Sequence, residues 1–178
     1  GPGAGDVMHN SVTIAGGKIE GSVYGGYAVG TGNVTNNSVA IAGGRFENAG
    51  TAPDVYGGYA DGTGKTTGNT VILGAEDGAY AADLSHAKIH GGSEAEGNIL
   101  RIRGKGIAVL SADNFDKYDF QLRGSLADGD TLLTLKNGGF GREIDWQNNF
   151  VVDTSKLKGV PSGAVTLLKS DTANALTF

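Results

Sequence analysis

One self-similar block limits the folds open to this chain more than any other feature. Asn10-Ser11-Val12-Thr13-Ile14-Ala15-Gly16-Gly17-Lys18-Ile19-Glu20 returns as Asn37-Ser38-Val39-Ala40-Ile41-Ala42-Gly43-Gly44-Arg45-Phe46-Glu47. A second element, Val23-Tyr24-Gly25-Gly26-Tyr27-Ala28, returns unchanged as Val55-Tyr56-Gly57-Gly58-Tyr59-Ala60. A looser third copy runs from Asn69-Thr70-Val71-Ile72-Leu73-Gly74 to Ile89-His90-Gly91-Gly92, and a fourth opens at Asn98-Ile99-Leu100-Arg101-Ile102 before the pattern fades. The opening asparagines stand at 10, 37, 69 and 98, so the periods are 27, 32 and 29 residues. A constant strand core with a variable period puts the extra residues, such as Asn48 to Asp54 and those between Glu76 and Lys88, in loops.

Inside each copy the apolar residues alternate, as Val12 with Ile14 and Val39 with Ile41. A period of two marks half-buried strands, and the Gly-Gly pairs would interrupt any helix. One such unit cannot bury its own apolar face, whereas units stacked in register bury all of them together. The expectation is an all-β chain, a right-handed parallel β-helix (β-solenoid) of about four rungs, roughly 20 Å tall at ~4.8 Å per rung. A repeated asparagine at one corner predicts an amide ladder, with Asn tolerating the left-handed backbone of a tight turn. The Gly-Gly pairs are expected to supply positive φ at the bends.

Glycine, at 32 of 178 residues, is frequent enough to suggest disorder. The ordinary apolar fraction of 39%, gathered into β-branched runs, favours a folded β protein instead. A net charge of −5 with only 14 Lys and Arg offers no footprint for nucleic acid. No apolar stretch approaches the roughly 18–20 residues of a membrane-spanning helix. There is no cysteine, which removes disulfides and thiol chemistry. Gly1-Pro2 has the form of a tag-removal scar, so the chain is expected to begin inside a longer protein.

From Ile107 onward glycine thins out and aromatics and charges increase. The expected organisation is therefore a scar at 1–2, rungs over 3–106, and a C-terminal β-rich cap over 107–178 that covers the open end of the stack. The only tryptophan, Trp146, is expected to contribute to the shared core. Here the repeat blocks with their Val-Tyr-Gly-Gly-Tyr-Ala element resemble the passenger domains of monomeric type Va autotransporters. Phe115-Asp116-Lys117-Tyr118-Asp119-Phe120, Gly129-Asp130-Thr131-Leu132-Leu133-Thr134 and Val165-Thr166-Leu167-Leu168-Lys169 are similar to the autochaperone or junction region that precedes the membrane barrel in that family. The resemblance implies a β-helix at the bacterial cell surface, outer-membrane-tethered or secreted. It also implies a C-terminal region that aids folding during export, and a translocator barrel in the full-length protein.

Patterns that would carry catalysis or hold a metal are weak. Gly64-Lys65-Thr66 lacks the first glycine of a phosphate loop, since Tyr59 stands there, and it leads into a strand pattern rather than a helix. His86 and His90, beside Asp83, are four apart; on a strand that is about 13 Å, too far to share one ion. Asp113, Asp116 and Asp119, or Glu94 and Glu96, are the acids a polysaccharide-degrading β-helix would group. On one strand, Asp113 and Asp119 would share a face and Asp116 would not. Solvated turn acids explain all five, so the expectation is no enzyme, no cofactor and no metal.

The tyrosines remain. In register, Tyr24 falls near Tyr56 and Tyr27 near Tyr59, beside glycines that leave the rings uncovered. They form either a binding surface or a ladder that merely stabilises the coil. The expected function is adhesion to a host or bacterial cell-surface protein or glycan. A polysaccharide-degrading enzyme, or a folding and capping module of a larger passenger, are the alternatives.

Overall fold

A computed structural model describes residues 5–159 and 161–178; Gly1 and Pro2 lie outside the described residues. The first copy supplies β1 (Val7–Met8), β2 (Ser11–Ile19), β3 (Val23–Tyr24) and β4 (Tyr27–Gly30). The second supplies β5 (Val34–Thr35), β6 (Ser38–Phe46), β7 (Asp54–Tyr56) and β8 (Tyr59–Gly62). The third gives β9 (Thr66–Thr67), β10 (Thr70–Leu73) and β11 (Leu84–His90). Then follow β12 (Ile99–Ile102), β13 (Ile107–Asp113), β14 (Lys117–Ser125), β15 (Thr131–Leu135), the one-turn helix α1 (Trp146–Asn149), β16 (Phe150–Gly159) and β17 (Thr166–Ser170).

Successive strands alternate between two long sheets, one ordered β2-β6-β10-β12-β14-β16 and the other β3-β7-β11-β13-β15-β17. Two short sheets, β1-β5-β9 and β4-β8, flank the first copies. Every strand-to-strand pairing among the described residues is parallel. The chain is thus all-β with parallel sheets, open at both ends. The register follows the repeat: Val12 faces Val39, Val39 faces Val71, and Val71 faces Leu100.

Alternation does the burying. Val39, Ile41, Val71, Leu73, Leu100 and Ile102 point inward between the long sheets and are buried, while Val12 and Ile14 at the edge are half-buried against them. The same ladder crosses residue 106 unbroken: Leu100 faces Tyr118, and Ile102 faces Phe120. Residues 107–178 supply β13 to β17, so the compositional change at Ile107 coincides with no break in either sheet. Phe115, Tyr118, Phe120 and Phe140 from this region join the core. Trp146 does not; it is 61% exposed at the start of α1, a one-turn helix in which only Asn149 is buried.

The asparagine ladder forms. Asn10 donates its backbone N–H and Nδ2 to Asn37 Oδ1 at 3.0 and 3.1 Å. Asn37 does the same to Asn69 at 3.0 and 3.1 Å, and Asn69 to Asn98 at 2.9 and 3.3 Å. Asn37, Asn69 and Asn98 are buried. The left-handed residue is the one before each asparagine, not the asparagine itself: His9, Asn36, Gly68 and Gly97 have φ of 59°, 54°, 68° and 68°. The glycines of the tyrosine element also serve differently from expectation. Gly58 has no left-handed φ; a Cβ there would lie 2.6 Å from Asn69 Nδ2, so it is glycine because the ladder amide occupies the space. Positive φ does belong to the second glycine of the other pair, Gly17 at 90° and Gly44 at 97°.

Candidate functional site

The β3–β7 pairing sets Tyr24 over Tyr56, and the β4–β8 pairing sets Tyr27 over Tyr59. The Gly-Gly corner between each pair of strands turns the second column against the first. Ring centroids of Tyr24 and Tyr56 are 5.4 Å apart with planes 7° from parallel; those of Tyr27 and Tyr59 are 5.4 Å apart at 22°. Across the columns, Tyr24 meets Tyr27 at 5.3 Å and Tyr56 meets Tyr59 at 4.9 Å, both edge to face. All four predicted residues are therefore brought together in one cluster, in the geometries aromatic quadrupoles favour. Tyr27 is its most exposed member at 45%, next to exposed Val29, and its hydroxyl donates to Asp61 Oδ2 at 3.3 Å. Beneath the cluster, Ala28, Val34 and Ala60 form a small separate core.

The first column continues into the third copy. His90 occupies the position of Tyr24 and Tyr56, its ring 4.4 Å from that of Tyr56 and 19° from parallel. Its Nε2 lies 2.8 Å from Asp54 Oδ1 and its Nδ1 lies 2.5 Å from Asp113 Oδ1. Burial works against the imidazolium, but hydrogen bonds and charge from Asp113 and Asp54 outweigh it and hold the His90 pKa above its ordinary value. Burial, then the nearby Asp54 carboxylate, pushes the Tyr56 phenol up to about 12.

The His90 pair of carboxylates gives a pH dependence with a definite sign. A folded-state pKa raised above the unfolded value near 6.5 stabilises the protein fully below that value, and the contribution fades as pH rises through the folded pKa. Neutral imidazole can donate to only one of the two aspartates. Thermal melts from pH 5 to 9 are therefore expected to show the parent losing stability relative to His90→Gln as pH rises past neutrality. Parallel profiles for the two proteins would contradict the assignment.

No family model, no curated protein and no solved structure matches this chain.

The remaining sequence candidates separate. Asp113 ends β13 in one long sheet, engaged with His90, while Asp119 lies in β14 of the other, where its Oδ2 accepts from Arg101 Nε at 2.8 Å. They are not two positions on one strand face, and Asp116 sits in the turn between them. Glu94 Oε1 accepts a long 3.4 Å bond from Thr66 N, beside Gly92, in the turn that leads to Asn98. Lys65 and Thr66 enter β9, a strand. His86 and His90 both lie in β11, His86 exposed and His90 held by its aspartates.

No pattern in the sequence singles out a groove of about 560 Å³. Lys18 and Glu20 of the first copy, Glu47 and Thr51 of the second, His86 of the third and Leu110 of the fourth line it. One wall is the loop that follows Phe46, closed by the Asn48–Thr51 bridge and tied back by Asn48 Nδ2 donating to Glu20 O at 3.0 Å. The signal is present as the extra residues from Asn48 to Asp54, whose length alone does not say what they enclose.

Proposed function

We propose that the two long sheets are faces of a right-handed parallel β-helix, that the chain belongs to an autotransporter-type passenger on a Gram-negative surface, and that it is an adhesin. The tyrosine cluster binds a host or bacterial cell-surface glycan or protein. The observation that carries this is the two-by-two tyrosine cluster, repeated in register, with Tyr27 45% exposed. Stacked tyrosines are already rigid, so little side-chain entropy is lost when a partner lands on them. Support for the β-helix comes from strands that alternate between two all-parallel sheets in chain order. On this reading the C-terminal strands help the passenger fold during export, and a translocator barrel follows in the whole protein. The chain is non-enzymatic on this reading: Asp113 and Asp119 are each committed to a cationic or imidazole partner.

The test is a screen against glycan arrays, surface proteins and intact host and bacterial cells. A ligand found this way is expected to bind at least about 30-fold more weakly to the double variant Tyr27→Ala/Tyr59→Ala, as for loss of a hot spot worth ~2 kcal/mol. An empty screen, or unchanged affinity in the double variant, would remove this reading. Release of reducing sugar from a polysaccharide panel would replace it with an enzymatic one.

A further inference from the structure

The outward face of the first long sheet brings three arginines together, Arg101 in β12, Arg103 just after it and Arg123 in β14, alternating with buried Leu100, Ile102 and Leu122. Asp119 is taken by Arg101 at 2.8 Å. Gln121 Oε1 accepts from Arg103 Nε and from Arg123 Nη2, both at 2.9 Å. That leaves Glu76 to face two guanidiniums: its Oε1 is 3.0 Å from Arg103 Nη2, but its Oε2 reaches Arg123 Nη1 only at 3.7 Å. Asp153 lies near Arg123 on the neighbouring strand, where its Oδ1 accepts from Ser155 N at 2.9 Å. Among the described residues Arg123 Nε and Nη1 have no hydrogen-bond partner, although the side chain is only 6% exposed.

Buried guanidinium donors are normally paired, and an unpaired one calls for a ligand or a change of partner. The cover over these two is thin. Glu76 is 70% exposed, and it sits on the tight turn in which Gly78 N donates to Ala75 O at 2.9 Å. This turn lies directly on the arginines, since a Cβ at Gly78 would come 2.9 Å from Arg123 Cβ. It belongs to the extra length of the third copy. On either side of it the chain is tied in place by Gly74 N donating to Ile41 O and Ala81 N donating to Ala42 O. Between those ties the turn belongs to no strand.

We infer that Arg103 and Arg123 form a binding site for a tetrahedral oxyanion, sulfate or phosphate, which enters by displacing the Glu76 carboxylate that now stands in for it. An oxyanion has more acceptor positions than the single carboxylate at its present distance, and it can meet Arg123 Nη1 and Arg103 Nη2 together, the two donors that Glu76 now faces. The site is independent of the tyrosine cluster, and its test does not depend on that reading.

The experiment is thermal denaturation of the parent, Glu76→Gln and Arg123→Met in sodium sulfate, against sodium chloride at matched ionic strength. Matching separates specific binding from screening, and Arg123→Met separates it from the general stabilising action of sulfate. A saturable rise in melting temperature is expected for the parent. Glu76→Gln, freed of its internal competitor, is expected to saturate at about tenfold lower sulfate, a shift of ~1.4 kcal/mol. Arg123→Met is expected to lose the saturable component. If that variant fails to fold, the comparison of Glu76→Gln with the parent still decides. No saturable component in either of them, or equal midpoints in both, would overturn the inference. A parallel titration with a sulfated disaccharide identifies the source: saturation assigns the oxyanion to a glycan, and saturation by inorganic sulfate alone assigns it to the free ion.

Discussion

Ile41→Asp is expected to abolish cooperative folding at room temperature. Ile41 is fully buried between the long sheets, with Ile14 on one side and Leu73 on the other in the same ladder. An aspartate there has no cation within the apolar cluster to pair with, so the strand must either bury a bare charge or leave the sheet. The cost is at least ~4 kcal/mol, a large part of the total stability of about 5–15 kcal/mol usual for a domain. In a stack the damage spreads, because the neighbouring copies lose their shared surface as well. Circular dichroism melts with size-exclusion chromatography measure it. A variant that melts within a degree or two of the parent would mean that the register is wrong.

Asn69→Leu is expected to cost about 3 kcal/mol or more, despite a similar size and a gain in apolar character. Asn69 Oδ1 accepts both the backbone N–H and Nδ2 of Asn37, and its own Nδ2 donates to Val34 O at 2.9 Å. Leucine leaves the Asn37 N–H unpaired in a buried setting, at about 1–3 kcal/mol, and takes the side-chain donor from Val34 O. The leucine methyls also meet Gly58, where the amide already fits closely. Asn10→Leu is the internal comparison. Asn10 is exposed, and among the described residues its side chain donates into the ladder without accepting from another rung, so its loss is expected to cost under ~1 kcal/mol. Chemical denaturation of both variants checks the contrast, and equal costs would contradict a ladder that is stronger in its middle.

Most of this fold is legible in the repeat. Val39, Ile41, Val71 and Leu73 declare their face by alternation, and asparagines at a fixed place in each copy declare a ladder. Where those markers fade, the sheets continue without a signal in the repeat. Beyond Ile107 the ladder positions carry Tyr118 and Phe120 in place of Leu100 and Ile102, and the asparagine position carries Asp116. The same two sheets therefore continue behind an unfamiliar sequence. Trp146 shows the limit of composition: a large aromatic residue is expected in the core, but Trp146 is exposed, while Phe140 stacks on buried Tyr118 and Phe150 meets it edge to face.

The candidate site is legible in part for the same reason. The identical Val-Tyr-Gly-Gly-Tyr-Ala elements bring four tyrosines together. Ile89-His90-Gly91-Gly92 carries the same signal in weaker form, with His90 taking the tyrosine's place in the column. Its aspartates come from two other copies, 36 and 23 residues away, and no local pattern joins them. The groove and the buried arginines depend on how the loops of unequal length fold back. Repeat spacing locates such loops without shaping them.

The central claim is that consecutive copies lie side by side, in chain order, in one parallel sheet. Spin labels at Thr13 and Val151 test it directly, on a chain with no native cysteine to interfere. Both positions are exposed, and the register runs Thr13, Ala40, Ile72, Arg101, Asp119, Val151. Five strand spacings of ~4.8 Å place the two backbones about 24 Å apart, with the label tethers adding several ångström of spread. Pulsed dipolar spectroscopy of the doubly labelled protein is expected to give a single distribution centred near that distance. A centre beyond ~35 Å, or a broad distribution without a maximum near ~24 Å, would contradict the stacked order.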